Sequence, residues 1–308
     1  MIALVGYTGF VGSNIYAAAG KEIDAVYNSK NIGEAFGTCP DLLIYAGLRA
    51  EKYLANSAPE KDMKLILQAE DNITKINPQK LVLISTIDVF KNPKDVDETS
   101  EIDTENLPAY GYNRYQLELF VRENFSDALI IRLPGLFGQN LKKNFIYDFI
   151  NRVPFMLKES KFQELTKKEP ELRKYYKLQD NGFYRLNADD EEKEFLKVKF
   201  QKLGFSALNF TDSRSRYQFY NLAHLWRDMQ TALHAGITLW HPATEPIAAG
   251  ELYEYLTGER FVNELESAPA DYDYRTIHWG VWNGSNGYIS SKDETLKSIE
   301  AFVKGKLE

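Results

Sequence analysis

The first stretch of the chain, MIALVGYTGFVGSNIYAAA, constrains the fold more than any other part of the sequence. An apolar run, Ile2–Val5, is followed at once by Gly6, Gly9 and Gly12, and then by a helical pattern through Ile15. A short continuous apolar run is typical of a strand buried in a parallel sheet. The stretch therefore predicts a strand that ends in a glycine turn, from which a helix begins.

Each glycine of this turn has its own physical reason. Gly6 ends the strand in a tight turn where a Cβ atom would clash. Gly9 lets the backbone approach a pyrophosphate, and Gly12 lets the new helix pack closely on the strand. The helix N-terminus offers N–H groups and partial positive charge to phosphates. The turn therefore predicts a dinucleotide site, against the alternative of an ordinary strand-to-helix turn. Its residues are Gly6, Thr8, Gly9, Phe10, Val11 and Gly12.

The apolar pattern then alternates between strands and helices. Runs of strand type occupy Ile23–Tyr27, Asp41–Ala46, Leu81–Ser85 and Phe125–Arg132. A helix is predicted over Pro59–Ile76, because its apolar residues recur at helical spacing on one face. Strands that alternate with helices of this length predict an α/β fold with a parallel sheet and right-handed crossovers.

The composition narrows the classes of partner. The net charge is −7, so we expect no broad basic face and no nucleic-acid partner. No apolar run approaches the roughly 20 residues that span a bilayer. Met1 leads into a strand without a signal-peptide pattern, so a cytoplasmic location without membrane contact is expected. The one cysteine, Cys39, is expected to be a small buried apolar residue, and the histidines lack metal-ligand spacing, so no metal is expected.

The loop after the second predicted strand bears on the choice of cofactor. It reads Asn28-Ser29-Lys30, without the acidic residue that would bind a ribose 2′-hydroxyl. Ser29 and Lys30 can donate to a 2′-phosphate, which favours NADP and leaves NAD open. Ala46 and Gly47, directly after the third predicted strand, would let the chain pass close to a bound adenosine.

The Gly-x-x-Gly-x-x-Gly spacing resembles the short-chain dehydrogenase/reductase superfamily, especially its extended branch of sugar-nucleotide epimerases, dehydratases and reductases. Three more stretches extend the resemblance: Ser85–Phe90, Tyr110–Arg114 and Arg132–Gly138. It implies a Rossmann-type doubly wound parallel sheet, a nicotinamide cofactor and a homodimer. By the same resemblance, the backbone near Pro134 meets the nicotinamide carboxamide, and Asn144 contacts the substrate.

The segment Tyr110-Gly111-Tyr112-Asn113-Arg114 resembles the Tyr-x-x-x-Lys motif of the superfamily. At a spacing of four, Tyr110 and residue 114 face the same side of a helix. The resemblance implies that Tyr110 gives or takes a proton while Thr86 binds the substrate oxygen. A phenol has an unperturbed pKa of about 10, which a nearby cation lowers. Here that cation is Arg114, which keeps the charge but not the geometry of a lysine.

Asp88 is a further candidate beside Thr86. Sugar-nucleotide dehydratases carry Thr-Asp-Glu at this place, whereas this chain has Thr86-Ile87-Asp88, so dehydration is disfavoured. Asp88 is either a base or sugar-binding residue, or a solvated turn acid. Arg216 and Arg275 are candidates for gripping a substrate diphosphate, because a guanidinium matches phosphate oxygens. The alternative for each arginine is a surface salt bridge.

The second half of the chain resembles the superfamily only in its pattern. We expect a Rossmann domain over 1–145, to which parts of 206–245 return, and a smaller α/β substrate-binding region over 146–308. The latter contains a charged helical insertion, 156–204, interpreted as two amphipathic helices broken near Asp180-Asn181-Gly182.

Two hypotheses of different class follow. The first is an NAD(P)-dependent oxidoreductase or epimerase that acts on a nucleotide-activated sugar with Tyr110 as acid/base. The second is a protein that binds NAD(P) as a sensor or scaffold and has lost turnover, a hypothesis that Arg114 and the charged insertion support. An oxidoreductase for an alcohol that is not a sugar stays open as a third interpretation.

Overall fold

The computed structural model describes residues 1–179 and 181–307, which divide into two compact units. The first unit comprises Met1–Leu141, Arg216–Ile247 and Asp271–Ser298. The second comprises Lys142–Ser215, Ala248–Ala270 and the chain from Ile299 onward. The chain thus returns to the first unit twice, whereas the sequence pattern predicts one return, over 206–245.

The elements are numbered in chain order. The strands are β1 Ile2–Val5, β2 Ala25–Tyr27, β3 Leu42–Tyr45, β4 Leu81–Thr86, β5 Leu129–Leu133, β6 Gly135–Phe137, β7 Met156–Lys158, β8 Tyr176–Leu178, β9 Phe183–Leu186, β10 Arg216–Tyr217, β11 Phe219–Asn221, β12 Leu239–Trp240 and β13 Ile247–Ala248. The α-helices are α1 Phe10–Ala19, α2 Lys52–Ser57, α3 Pro59–Ile76, α4 Ala109–Asn124, α5 Phe145–Asn151, α6 Glu159–Lys168, α7 Asp190–Lys202, α8 Leu225–His234, α9 Ala249–Thr257 and α10 Lys292–Leu307. Among these helices, none is long and apolar enough to cross a membrane.

The first unit is built on a six-stranded sheet in the order β12-β5-β4-β3-β1-β2. All five strand pairs are parallel, which confirms the α/β, doubly wound fold class predicted from the sequence. The strands β2 and β3 lie on opposite sides of β1, so the order of connection reverses there. In open α/β sheets the crevice at such a reversal, outside the carboxyl ends of the strands, is where ligands bind.

Both faces of this sheet are covered, which explains why its strands read as uninterrupted apolar runs. One face packs against α1 and α8, with Leu4 of β1 among its buried residues. The other face packs against α3 and α4, with Ala3 and Val5 of β1 buried there. The predicted helix Pro59–Ile76 has the same bounds in the structure.

The second unit contains more than the helical hairpin predicted for the insertion. The helices α6 and α7 are present, but β8 and β9, which lie between them in the chain, form an antiparallel sheet with β7, which precedes α6. The aromatic residues favour strands here, and Phe162 of α6 stacks on Tyr184 of β9 with ring centroids 3.8 Å apart. Of the predicted break, Asp180 lies outside the described residues, while Asn181 and Gly182 lie between β8 and β9.

One smaller prediction differs from the structure. Cys39 is exposed rather than buried, with φ of 45° in a turn before β3. The prediction was wrong because the residue type was weighed without the turn in which it lies.

Candidate functional site

The glycine turn lies at the carboxyl end of β1, where the strand order reverses. Gly6 has φ of 90°, and a Cβ atom on it would overlap the carbonyl group of Ala46. A Cβ atom on Gly12 would overlap the carbonyl group of Gly6. The turn, the start of α1 and the end of β3 are therefore in backbone contact, which only glycine permits.

Gly9 differs from the other two glycines of the turn. It is exposed, and a Cβ atom on it would meet only the oxygen of Gly6, at 3.2 Å. Gly9 is also the N-cap residue of α1, and it provides no side-chain cap to the helix N-terminus. Thr8 is exposed, and Phe10 and Val11 are half-buried beside it. Exposed N-terminal N–H groups without a side-chain cap are the usual donors to a phosphate.

The loop Asn28–Lys30 follows β2, next to β1 in the sheet. The Asn28 side chain accepts a hydrogen bond of 2.8 Å from the backbone of Lys30, which fixes a tight turn. Ser29 and Lys30 are exposed. The turn therefore presents one hydroxyl and one ammonium group at the same sheet edge as the glycine turn.

Tyr110 and Thr86 are brought together by the close packing of α4 on the end of β4. A Cβ atom on Gly111 would overlap the carbonyl oxygen of Asp88, so the start of α4 rests directly on the segment after β4. Tyr110 is 8% exposed, and its phenol lies near enough to the Thr86 side chain for the Thr86 hydroxyl to lower the pKa of the phenol. Thr86 also accepts a 3.2 Å hydrogen bond from the backbone of Asp88.

Arg114 lies one turn after Tyr110, but its guanidinium group binds residues of α3 and of the loop after β3. It lies over the Tyr110 ring, 4.2 Å from the ring centroid. It forms an ion pair with Asp62 of α3, and both side chains are buried. It also donates a 2.8 Å hydrogen bond to the carbonyl oxygen of Arg49, in the loop that follows β3. Arg114 thus ties α4 to α3 and to the end of β3.

Asp88 is half-buried, and its carboxylate has two hydrogen-bonding partners. Its Oδ1 accepts hydrogen bonds from Lys52 Nζ at 2.9 Å and from the Tyr272 hydroxyl at 3.2 Å. Lys52 lies on α2, a helix that the sequence pattern did not predict. The same helix carries Asn56, whose Oδ1 accepts a 2.9 Å hydrogen bond from the backbone N–H of Tyr110.

These neighbours act on the proton affinity of Tyr110 in opposite directions. Burial raises the pKa of the Tyr110 phenol, and the Asp88 carboxylate also raises it. The Arg114 cation, the hydrogen bond with Thr86 and the Lys52 cation lower that pKa. One carboxylate and two cations therefore act on the pKa of the phenol in opposite directions, with Arg114 the stronger of the two cations.

A buried polar network connects α4 to the strands β4 and β5. Glu118 of α4 accepts a 2.6 Å hydrogen bond from Ser85 and forms an ion pair of 2.7 Å with Arg132 of β5. Arg132 Nη1 lies 3.3 Å from His241 Nε2. His241 Nδ1 lies 3.1 Å from the carbonyl oxygen of Arg275, so it carries the proton and Nε2 accepts. Burial, together with Arg132, lowers the pKa of His241 to about 3. The sequence motif identified Arg132 but not this network.

The remaining predicted residues are distributed over both units. Pro134 is half-buried between β5 and β6 in the first unit. There Arg216 pairs with Asp271 and Asp273, and Arg275 pairs with Asp273 while lying over Tyr288. Asn144 belongs to the second unit, where its side chain caps α5 by accepting from Tyr147 N at 3.1 Å. Both arginines are thus already paired with carboxylates.

Comparison with solved structures identifies the fold. The dTDP-4-dehydrorhamnose reductase of Yersinia enterocolitica has a TM-score of 0.65 at 12% identity, over 100% of this chain and 99% of that chain. The dTDP-4-dehydrorhamnose reductase of Bacillus anthracis, solved in complex with NADP, has a TM-score of 0.62 at 14% identity, over 99% and 97%. The UDP-glucose 4-epimerase of Thermotoga maritima, with UDP-glucose, has a TM-score of 0.62 at 12% identity, over 100% and 99%.

These likenesses extend over the whole chain. At such identities they establish a shared fold and no more. No protein-family model matches the sequence, and no curated protein matches it. The fold predicted from the glycine turn is therefore confirmed by structure rather than by sequence relatives.

Proposed function

We propose that this protein is an NAD(P)-dependent oxidoreductase or epimerase that acts on a nucleotide-activated sugar. The observation that carries the proposal is the pairing of Tyr110 with Thr86 at the carboxyl end of β4. This pair is connected to the glycine turn through contacts already described, because Arg114 binds the loop after β3 and Gly6 packs on Ala46. The solved reductases and epimerases of the same fold support the same reaction type.

The residues at the sheet edge fit a dinucleotide. Gly9 leaves space above an uncapped helix N-terminus, which suits a pyrophosphate. Ser29 and Lys30 suit a 2′-phosphate, so we assign NADP as the preferred cofactor, with NAD as the alternative. Within the described residues Lys30 has no ion pair to compete with such a ligand. A bound NADPH supplies a hydride.

Tyr110 would then perform the proton chemistry. In a reduction its phenol donates a proton to the oxygen of a keto-sugar, and in the reverse direction the phenolate accepts one from a sugar hydroxyl. Thr86 would hydrogen-bond the same oxygen and stabilise the charge that develops on it. The first acid of the dehydratase pattern is absent, so the reaction is a net reduction or the first half of an epimerisation.

Titration and turnover assays test the proposal. We would titrate the protein with NADPH and NADH and then assay a panel of nucleotide-4-keto-sugars. Tyr110→Phe should lower kcat by at least about 100-fold while NADPH binding is retained. Tyr112→Phe is the matched control, because Tyr112 lies on the same helix and is 39% exposed. Turnover that Tyr110→Phe leaves unchanged would contradict the proposal.

A second candidate is a protein that binds the cofactor without turnover. The observation that favours it is the ion pair of Arg114 with Asp62, which commits the cation of the motif to a structural contact. Tight NADPH binding without turnover on any substrate of the panel would support this candidate. Turnover of an alcohol that lacks a nucleotide diphosphate would instead favour an oxidoreductase for another substrate class.

A further inference from the structure

We propose that Asn56 of α2 is a positioning residue for the acid/base. Its side chain caps the first turn of α4 and thereby fixes the main chain of Tyr110. The inference rests on the proposed function, because it concerns the residue that moves the proton. Asn56 acts through Tyr110 in this proposal and takes no part in the proton transfer itself.

The helix α4 begins without a side chain of its own to cap it. Its N-cap residue is Pro108, whose ring carries no hydrogen-bond acceptor. The first hydrogen bond of the helix runs from Tyr112 N to the carbonyl oxygen of Pro108, at 3.0 Å. The earlier N–H groups, among them that of Tyr110, therefore have no acceptor within the helix. A cap side chain normally accepts from the second or third helical residue, and Tyr110 is the second.

Asn56 supplies this acceptor from another helix. Its Oδ1 accepts the hydrogen bond from Tyr110 N at 2.9 Å, the usual length of an N–H···O bond. Among the described residues, the Asn56 side chain has no second hydrogen-bonding partner. Because Asn56 is otherwise exposed, removing its amide group takes away this one contact and leaves no cavity.

The helix α2 is itself fixed on both sides of Asn56. Before Asn56, Lys52 Nζ binds Asp88 Oδ1 at 2.9 Å. After it, the carbonyl oxygen of Pro59, the first residue of α3, accepts a 3.2 Å hydrogen bond from Asn113 of α4. These two contacts hold α2 against the segment after β4 and against α4. The Asn56 side chain is therefore presented at a fixed place beside the start of α4.

The position of the Tyr110 phenol depends on this first turn of α4. Gly111 rests on the carbonyl oxygen of Asp88, and Asn56 holds the N–H of Tyr110. The Arg114 guanidinium group lies 4.2 Å from the centroid of the buried Tyr110 ring, so the ring has little freedom to compensate for a shift of its own Cα atom. Without the cap, the first turn would move toward water to satisfy the N–H. A displacement of about 1 Å at a reacting group costs about 100-fold in rate.

Three variants test the inference on the nucleotide-4-keto-sugar that the unmodified protein reduces fastest. Asn56→Ala removes the acceptor, and it should lower kcat by about 10- to 100-fold while KM and the Kd of NADPH change by less than about 2-fold. Asn56→Asp keeps an oxygen at the same place and should restore kcat to within about 3-fold. Asn124→Ala is the matched control, because Asn124 binds the carbonyl oxygen of Phe120 at 2.8 Å at the other end of α4. It should leave kcat unchanged.

A second readout does not depend on turnover. Hydrogen exchange of the Tyr110 amide, followed by NMR on ¹⁵N-labelled protein, reports on the cap directly, because Asn56 is the acceptor of this N–H. In Asn56→Ala the Tyr110 amide should exchange about 10-fold faster. The amide of Leu117, in the middle of α4, should exchange at its original rate. Asn56→Asp should restore slow exchange at Tyr110.

The outcomes separate this inference from the proposed function. A fall in kcat at constant KM that Asn56→Asp reverses, with faster exchange at Tyr110 but not at Leu117, supports the inference. Unchanged kcat or unchanged Tyr110 exchange in Asn56→Ala overturns it. Faster exchange along the whole of α4 also overturns it, because a merely structural contact would destabilise the helix rather than one residue. If the unmodified protein turns over no substrate of the panel, the proposed function fails. Faster exchange confined to Tyr110 then supports the role of Asn56, and unchanged exchange overturns it.

Discussion

The two halves of the candidate site are built in different ways. The glycine turn is made by backbone: Gly6, Gly12 and Ala46 are in contact through main-chain atoms, where a side chain would not fit. The surroundings of Tyr110 are made largely by side chains, from α2, α3, α4 and the segment after β4. The turn from Gly6 to Gly12 depends on residues close in sequence, whereas its contact with Ala46 and the surroundings of Tyr110 depend on contacts that only the fold creates.

The largest expected effect belongs to the backbone half. Gly6→Ala places a methyl group into the carbonyl of Ala46 at a residue with φ of 90°. We expect the free energy of unfolding to fall by about 5 kcal/mol or more, enough to prevent accumulation of folded protein. Circular dichroism with urea titration measures the effect.

The control for Gly6→Ala is Gly33→Ala, because a Cβ atom on Gly33 would meet nothing within 4 Å. It should change the free energy of unfolding by less than about 1 kcal/mol. If Gly6→Ala were as stable as Gly33→Ala, the contrast between a backbone-built and a side-chain-built half would be lost.

The next prediction concerns the side-chain half. Glu118 and Arg132 are 0% and 1% exposed, and Glu118 also binds Ser85, the neighbour of Thr86. Glu118→Gln leaves the Arg132 charge buried without its counter-charge, which should cost about 3–5 kcal/mol. Because Glu118 anchors α4 to β4 and β5, the remaining folded protein should also have a weaker Tyr110–Thr86 contact and a lower kcat.

Urea unfolding and turnover, measured on the same preparation, check this prediction. Glu123→Gln is the matched control, since Glu123 lies on the same helix and is exposed. If Glu118→Gln had unchanged stability, water or a rearrangement would compensate the buried charge of Arg132. The Glu118–Arg132 network would then not be needed to hold Tyr110 in place.

The features that could be predicted from the sequence belong mostly to the glycine turn and its strand and helix, and those that could not belong mostly to the side-chain contacts around Tyr110. The strand, the glycine turn and the helix Pro59–Ile76 are local patterns, and the structure has them within a few residues. The proximity of Tyr110 and Thr86 followed from a resemblance that carried their spacing across two elements. Lys52 was missed because α2 has six residues and no apolar periodicity, so nothing local marks it as a helix.

Charged residues were the least predictable from sequence. The sequence left two interpretations of Asp88 open, a base or sugar-binding residue and a solvated turn acid. In the structure Asp88 binds both Lys52 and Tyr272. Arg216 and Arg275 were candidates for a diphosphate, and both are paired with carboxylates of 271–273. The partner of a long charged side chain is chosen by tertiary structure, so a single sequence carries little information about it. The interaction of Asp62 with Arg114, 52 positions apart, illustrates the same limit.

The smallest expected effect concerns Lys30, an exposed side chain in the turn after β2, next to the glycine turn that is built from backbone contacts. Lys30 is exposed in the turn after β2, so its attraction to a 2′-phosphate is screened by water. Lys30→Gln should therefore weaken NADPH binding by about 3- to 10-fold, or roughly 1 kcal/mol, and leave NADH binding unchanged. Calorimetric titration with each cofactor measures both values, and Lys21→Gln, an exposed lysine between α1 and β2, is the control. An equal loss for NADH and NADPH would mean that Lys30 supports the turn rather than reads the phosphate, and the preference for NADP would lose its physical basis.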